Sequence, residues 1–272
     1  MRTIFALTLM CLFYELSASY IARPSFAAEI SAKSSCFQDE PLPGPFADLG
    51  PSNCVISLEG PIRSQKGDAD KLRSIIEELK ALPRHKNEFS AVIELSSPGG
   101  HVSEAIEIGR IIRSGGLSTM VDKGTCSSAC VLVLVSGVSR GVIYDTPPRV
   151  GIHSSYPESL PVGESYENTR QRRVARQNQI RAYLREMDIP ESLVAAMDRV
   201  PSDEIRWLSR RELREFHVTG EDAAWREWRA GKEAARLGIS LSEFIARKSR
   251  VQRSCQSGPG YTACEERIMQ GR

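Results

Sequence analysis

The sequence predicts an α/β domain, a mostly parallel sheet with helices packed on it, and three observations carry that prediction. Short apolar runs of strand length alternate with segments whose apolar residues recur at helical spacing. Gly and Pro punctuate the junctions. The composition is that of a globular chain: 41% hydrophobic and 26% charged residues over 272 positions exclude disorder, collagen and an all-membrane protein.

Taken in order, Arg2 precedes Ile4 to Phe13, apolar apart from Thr8, and Ser25-Phe26-Ala27 puts small residues where a signal peptidase reads. Residues 1–27 therefore read as a secretory signal. Glu15 ends the apolar run at about half the ~20 residues a spanning helix needs, which makes an uncleaved anchor the weaker reading. Residues 28–53, with Pro41, Pro43, Gly44, Pro45, Gly50 and Pro51, read as an extended, loop-like lead-in. The ordered domain is expected over 54–222. It opens with a strand at Val55 to Leu58, a helix at Asp68 to Leu82 and a strand at Ala91 to Leu95. Ser97-Pro98-Gly99-Gly100 turns into a helix at Val102 to Ile112, followed by a strand at Leu117 to Val121 and an apolar run at Ala129 to Val135. Further strands are expected at Val142 to Tyr144 and Arg149 to His153. Glu164 to Met187 reads as a long, arginine-rich polar helix, solvated or facing another subunit. Pro190 to Met197 and Ser209 to Glu215 are short helices. Residues 223–272 form a helical, disulfide-bearing extension with one or two helices over Ala223 to Arg247, whose Trp225, Trp228 and Phe244 are expected to pack.

Charge and cysteines narrow the function classes. With 36 Lys+Arg against 34 Asp+Glu the formal charge is +2, so no overall field points to nucleic acid or an anionic membrane. Removal of the signal takes Cys11 and leaves Cys36, Cys54, Cys126, Cys130, Cys255 and Cys264. An even number in an exported chain favours disulfides. Cys36 with Cys54 and Cys255 with Cys264 are the economical local pairs, each bracketing a Gly/Pro-rich stretch. Cys126 and Cys130 stand four apart, open to a disulfide, to buried thiols or to a redox-sensitive switch. No close pair of metal-ligand doublets is present, so no metal and no cofactor are expected.

Three features carry candidate chemistry. Ser97-Pro98-Gly99-Gly100, after a strand and before a helix, can expose backbone N–H groups to an anion or serve as a plain turn. Gly124-Thr125-Cys126-Ser127-Ser128-Ala129-Cys130 can present a serine hydroxyl at a sharp turn, or its serines can simply cap the next helix. Val150-Gly151-Ile152-His153 ends a strand in histidine, where parallel sheets place their sites. Of the remaining histidines, His85 lies in a polar loop, His101 beside the glycine turn and His217 after a short helix.

The run from Ser97 to His153 resembles the proteolytic subunit of Clp protease and its relatives in the ClpP/crotonase superfamily. That family carries SPGG, a helix, a strand, G-x-x-x-S before an apolar helix, and a strand ending in I-H. Trp207-Leu208-Ser209 with Glu212 is similar to its aromatic-Leu-Ser segment. The resemblance spans 54–222 and is strongest over 91–155. It implies a spiral of βαβ units, Ser128 as nucleophile, His153 as general base, and the amides of Gly99 and Ala129 as oxyanion donors. The family's acid falls at Pro201-Ser202, where none stands. Asp203 is the nearest candidate third member, with Asp198 behind it. The cysteine-flanked serine and the signal are more like exported, periplasmic or secreted relatives than the cytoplasmic protease. The resemblance further implies homo-oligomers and a peptide substrate, and a compartment without ATP implies no ATPase partner. A catalytically inactive binding or scaffold protein and an acyl-thioester enzyme of the crotonase kind are the alternatives.

Overall fold

The computed structural model of the chain describes residues 31–36, 54–63, 67–81, 89–143, 149–155 and 165–272. The expected signal segment and most of the lead-in lie outside the described residues. Six strands build the main sheet: β1 (Ser31–Cys36), β2 (Cys54–Glu59), β3 (Ala91–Ser96), β4 (Ser118–Val121), β6 (Ser139–Val142) and β9 (Gly220–Glu221), in the order β1-β2-β3-β4-β6-β9. The four inner strands run parallel, while β1 and β9 close the two edges antiparallel. The protein is thus mixed α/β with a mixed sheet.

Period-two alternation explains how β2 and β3 are buried on both faces. Ile56, Leu58, Ile93 and Leu95 enter the main core, while Val55 and Val92 join Met120 in a smaller cluster on the opposite face. Each fully buried side chain of this size contributes roughly 1.5–3 kcal/mol. The helices α1 (Asp68–Lys80) and α2 (Val102–Ser114) connect parallel neighbours and bury one stripe each, Leu72, Ile76 and Leu79 on the first and Ala105, Ile108 and Ile112 on the second. Ala69 N–H donates to Glu104 Oε1 at 2.8 Å and locks the two helices together.

A short helix, α3 (Cys130–Leu134), is buried throughout. Over it lies the end of α4 (Tyr166–Glu186), the polar helix expected from the sequence, which buries only Ile180, Tyr183 and Leu184. Tyr183 Oη donates to Leu132 O at 2.8 Å. A Cβ at Gly109 would come within 1.8 Å of that hydroxyl, so α2 carries glycine where the tyrosine crosses it. Burial holds the Tyr183 phenol well above its ordinary pKa. Next come α5 (Glu191–Asp198) and α6 (Arg210–Glu215). A second sheet of three strands, β5 (Cys126–Ser127), β7 (Val150–Ile152) and β8 (Arg206–Trp207), stands beside the first.

The chain ends in α7 (Ala223–Arg236), α8 (Leu241–Ser254) and α9 (Tyr261–Met269). These three enclose a separate small core of Ala234, Phe244, Val251, Ile268 and Met269. The unit is tied to the domain at its first residue. Asp222 caps α7 by accepting from Ala224 N and Trp225 N and pairs with Arg113 at the end of α2. Burial works to raise the Asp222 pKa, but the hydrogen bond from Arg113 and the capping amides outweigh it and hold the carboxyl below its usual range. Arg140 on β6 is buried, and loss of water, reinforced by Arg113, pushes its pKa down to about 10.

Several expectations change. Residues 31–36 of the lead-in are a strand, not a loop: SAKSSC offers a weak apolar alternation, and its pairing with β2 is secured by the Cys36–Cys54 disulfide. Where a strand was expected at Val142 to Tyr144, the structure has one at Ser139–Val142, and Tyr144 lies outside the described residues. Of the one or two helices expected over Ala223 to Arg247 the structure has two, broken at Gly238, the second running on to Ser254, and a further helix follows Gly260 and enters the Cys255–Cys264 bracket. Phe244 packs as expected, but Trp228 is 51% exposed, stacked on Trp225 at 4.5 Å with Lys232 over its ring. It borders an open groove of about 700 Å³ with Gly231, Lys232, Ala235 and Arg236. Among the described residues no helix is long and apolar enough to cross a membrane. The three disulfides among the described residues fit an oxidising compartment.

Candidate active site

Three strand ends meet at one place. Ser97, just past β3, donates its amide to Thr125 O at 2.7 Å and bridges to Cys126 in parallel. Ser127 N–H returns to Ser97 O at 3.1 Å, and Ser127 Oγ donates to Pro98 O at 3.2 Å. On the other side β5 pairs with β7 in parallel register, Cys126 with Val150 and Ser127 with Gly151. Just past β5, the Ser128 amide donates to Gly151 O at 3.0 Å, and His153 follows the end of β7 two residues beyond Gly151. β8 adds the third strand, with Trp207 opposite Gly151. Behind it, Arg206 and the Ser209 amide hold the Glu212 carboxyl at a pKa of about 2, fixing the corner between β8 and α6.

Ser128 itself has φ 57°, the left-handed region, shared among the described non-glycine residues only by Asp188 and His217. Such a conformation costs a side-chain-bearing residue roughly 1 kcal/mol or more. It is clamped from both sides: Cys126 and Cys130 form a disulfide across it, with Cα atoms 5.3 Å apart. Neither serine caps α3, whose N-cap is Ala129 without a side-chain bond. The capping alternative for Ser127 and Ser128 is therefore not what the fold uses.

Gly99 lies directly against this turn. A Cβ there would sit 2.5 Å from Ser127 O, 2.6 Å from Ser128 Cβ and 2.8 Å from Ala129 N, so the glycine backbone and the two expected partners are in close contact. With φ 93° it takes a conformation that only glycine adopts readily. Its amide donates to Ser97 Oγ at 3.1 Å. Among the described residues the Ala129 amide has no hydrogen-bond acceptor.

His153 follows β7 immediately and is 7% exposed. Its Nδ1 lies 2.9 Å from Ser154 O. Asp203 stands exposed on the turn closed by Glu204 N–H to Pro201 O, and Asp198 on α5 accepts from Gln177 Nε2 at 3.0 Å and Arg181 Nη2 at 2.9 Å. The structure thus brings Gly99, Ser128 and Ala129 together, places His153 directly after β7, the strand paired with β5, and leaves Asp203 at the surface. His101 caps α2 through Nδ1, accepting from Glu104 N at 3.3 Å, and His217 lies in the turn after α6; His85 lies outside the described residues. Among the described residues no group of three or more His, Cys, Asp or Glu side chains gathers where a metal ion could be held.

Two participants escaped the sequence: the Ser97 hydroxyl on the Gly99 amide and the Ser154 carbonyl on His153. The first had a local signal in the Ser-x-Gly spacing of a side-chain turn, and the second had none. No known family model matches the chain, and no curated protein matches it.

Proposed function

We infer that this chain is an exported, ClpP/crotonase-type serine peptidase-like protein, built as a spiral of βαβ units, that hydrolyses short or unfolded peptides without ATP. The observation that carries this reading is Ser128. A serine held in a left-handed turn that glycine would enter at lower cost, pressed against Gly99 and making no cap, is a hydroxyl positioned for chemistry. The motif resemblance over Ser97 to His153 supports the same roles, and the three disulfides support export to an oxidising compartment such as the periplasm.

In this reading His153 accepts the Ser128 proton as Oγ attacks the peptide carbonyl. The resulting oxyanion is met by the Ala129 amide and by the Gly99 amide, which exchanges its bond with Ser97 Oγ for the stronger charged acceptor. His153 then protonates the leaving amine, the C–N bond breaks, and water, deprotonated by the same imidazole, releases the acyl group from Ser128. Homo-oligomers follow from the resemblance alone.

A second reading has its own observation. Since the Gly99 amide is already satisfied by Ser97 Oγ, a binding or scaffold protein that keeps the turn without hydrolysis fits that bond. A serine-directed fluorophosphonate decides between them. Labelling of the oxidised protein that disappears in Ser128→Ala, with His153→Ala labelling at least 100-fold slower, is the expected result. Equal labelling of the protein and Ser128→Ala, or none in either, selects the scaffold.

A further inference from the structure

We propose that the main-chain carbonyl of Ser154 is the positioning group for His153, in the place where a serine triad carries its carboxylate, so that neither Asp203 nor Asp198 orients the imidazole. The role in catalysis rests on the reading of Ser128 and His153 as nucleophile and base. The geometry stands apart from it.

A carbonyl oxygen can only accept a hydrogen bond, so the 2.9 Å contact with His153 Nδ1 requires the proton to sit on Nδ1. A neutral imidazole has one such proton. Nε2 then carries the lone pair, which is the form that a base for a serine hydroxyl needs and the form that a triad acid enforces. The acceptor is itself held in place: the Ser154 amide donates to Val200 O at 3.0 Å, and both His153 and Ser154 are buried. The two carboxylates near the family position are otherwise disposed. Asp198 is engaged at both oxygens by Gln177 and Arg181, and Asp203 is exposed on the turn before β8.

A carbonyl differs from a carboxylate in one respect that matters. It fixes the tautomer and ring orientation but brings no full negative charge to the imidazolium that forms during attack. Catalysis built this way keeps the geometric part of a triad acid's contribution and forgoes much of the electrostatic part. It is also indifferent to the removal of nearby acids.

Two measurements on the full oxidised protein test this. In protein carrying ¹⁵N-histidine, two-bond ¹H–¹⁵N correlations of the ring assigned by comparison with His153→Gln should report Nδ1 protonated and Nε2 unprotonated. In parallel, Asp203→Asn and Asp198→Asn should each change the rate of fluorophosphonate labelling at Ser128 less than threefold and leave its pH profile unmoved, against the ~10⁴-fold loss typical of a removed triad acid. An Nε2-protonated ring, or a loss of 100-fold or more in either variant, overturns the proposal. An Nδ1-protonated ring in a protein whose Ser128 does not label keeps the positioning and removes the peptidase reading, so the two failures are distinct.

Discussion

The turn cluster around Ser128 and the helical unit at the C-terminus use glycine in opposite ways. At Gly99 an added methyl group would strike backbone and side-chain atoms of residues 127–129, which belong to another strand-to-helix junction. At Gly231, in the middle of α7, a Cβ meets nothing within 4 Å. The first region is specified by segments distant along the chain pressing on one another. The second is specified mainly within itself, by serine and aspartate caps at Ser240 and Asp222, a five-residue core and a disulfide spanning nine positions.

This contrast is most exposed to failure at Gly99. Gly99→Ala combines a forbidden φ with three contacts below 3.0 Å, and it should cost about 3 kcal/mol in urea unfolding and abolish Ser128-dependent labelling. A variant within 0.5 kcal/mol of the parent would mean that the two turns are not in register as described. Of intermediate size is the paired change Cys255→Ser with Cys264→Ser. Closing a nine-residue loop is worth about 2–3 kcal/mol in the unfolded-chain model, and the loss should stay local. Hydrogen exchange should accelerate across α8 and α9 while the amides of β2 and β3 keep their protection. Acceleration in those strands would show that the terminal unit is not energetically separate. The smallest effect is of opposite sign. Gly231→Ala should stabilise the C-terminal unit by about 0.5–1 kcal/mol, since it removes helix-opposing flexibility without a clash. A destabilisation would put an unseen neighbour against α7.

Much of the sheet was readable because its signal is local. Val55 to Leu58 and Ala91 to Leu95 are apolar runs interrupted only by Ser57 and Glu94, and the structure lengthens each by a residue or two. The helical stripes of α1 and α2 are present in the order of their residues. β1 was not readable, because the apolar alternation of this mostly polar edge strand is too weak to mark it and it takes its place from Cys54 and the β2 register. The two-residue strands β5, β8 and β9 likewise exist only because partners lie beside them. At the candidate site the sequence offered a glycine turn, a serine turn and a strand-end histidine, and it was the resemblance to the ClpP/crotonase superfamily that singled out Gly99, Ser128, Ala129 and His153. It was silent on the Ser154 carbonyl, since every residue has one and only packing decides which is used.

What the sequence alone determined is therefore what depends on near neighbours: helix periodicity, capping serines, apolar strands, and six of the seven cysteines at spacings that allow local pairing. The tertiary structure decided the left-handed turn at Ser128, the seating of Gly99 against it, the contact of His153 Nδ1 with Ser154 O, and the exposure of Trp228 beside the burial of Phe244. Those are outcomes of residues far apart in sequence competing for the same space. Such competition is settled by volume and hydrogen-bond geometry, which no window of neighbouring residues contains.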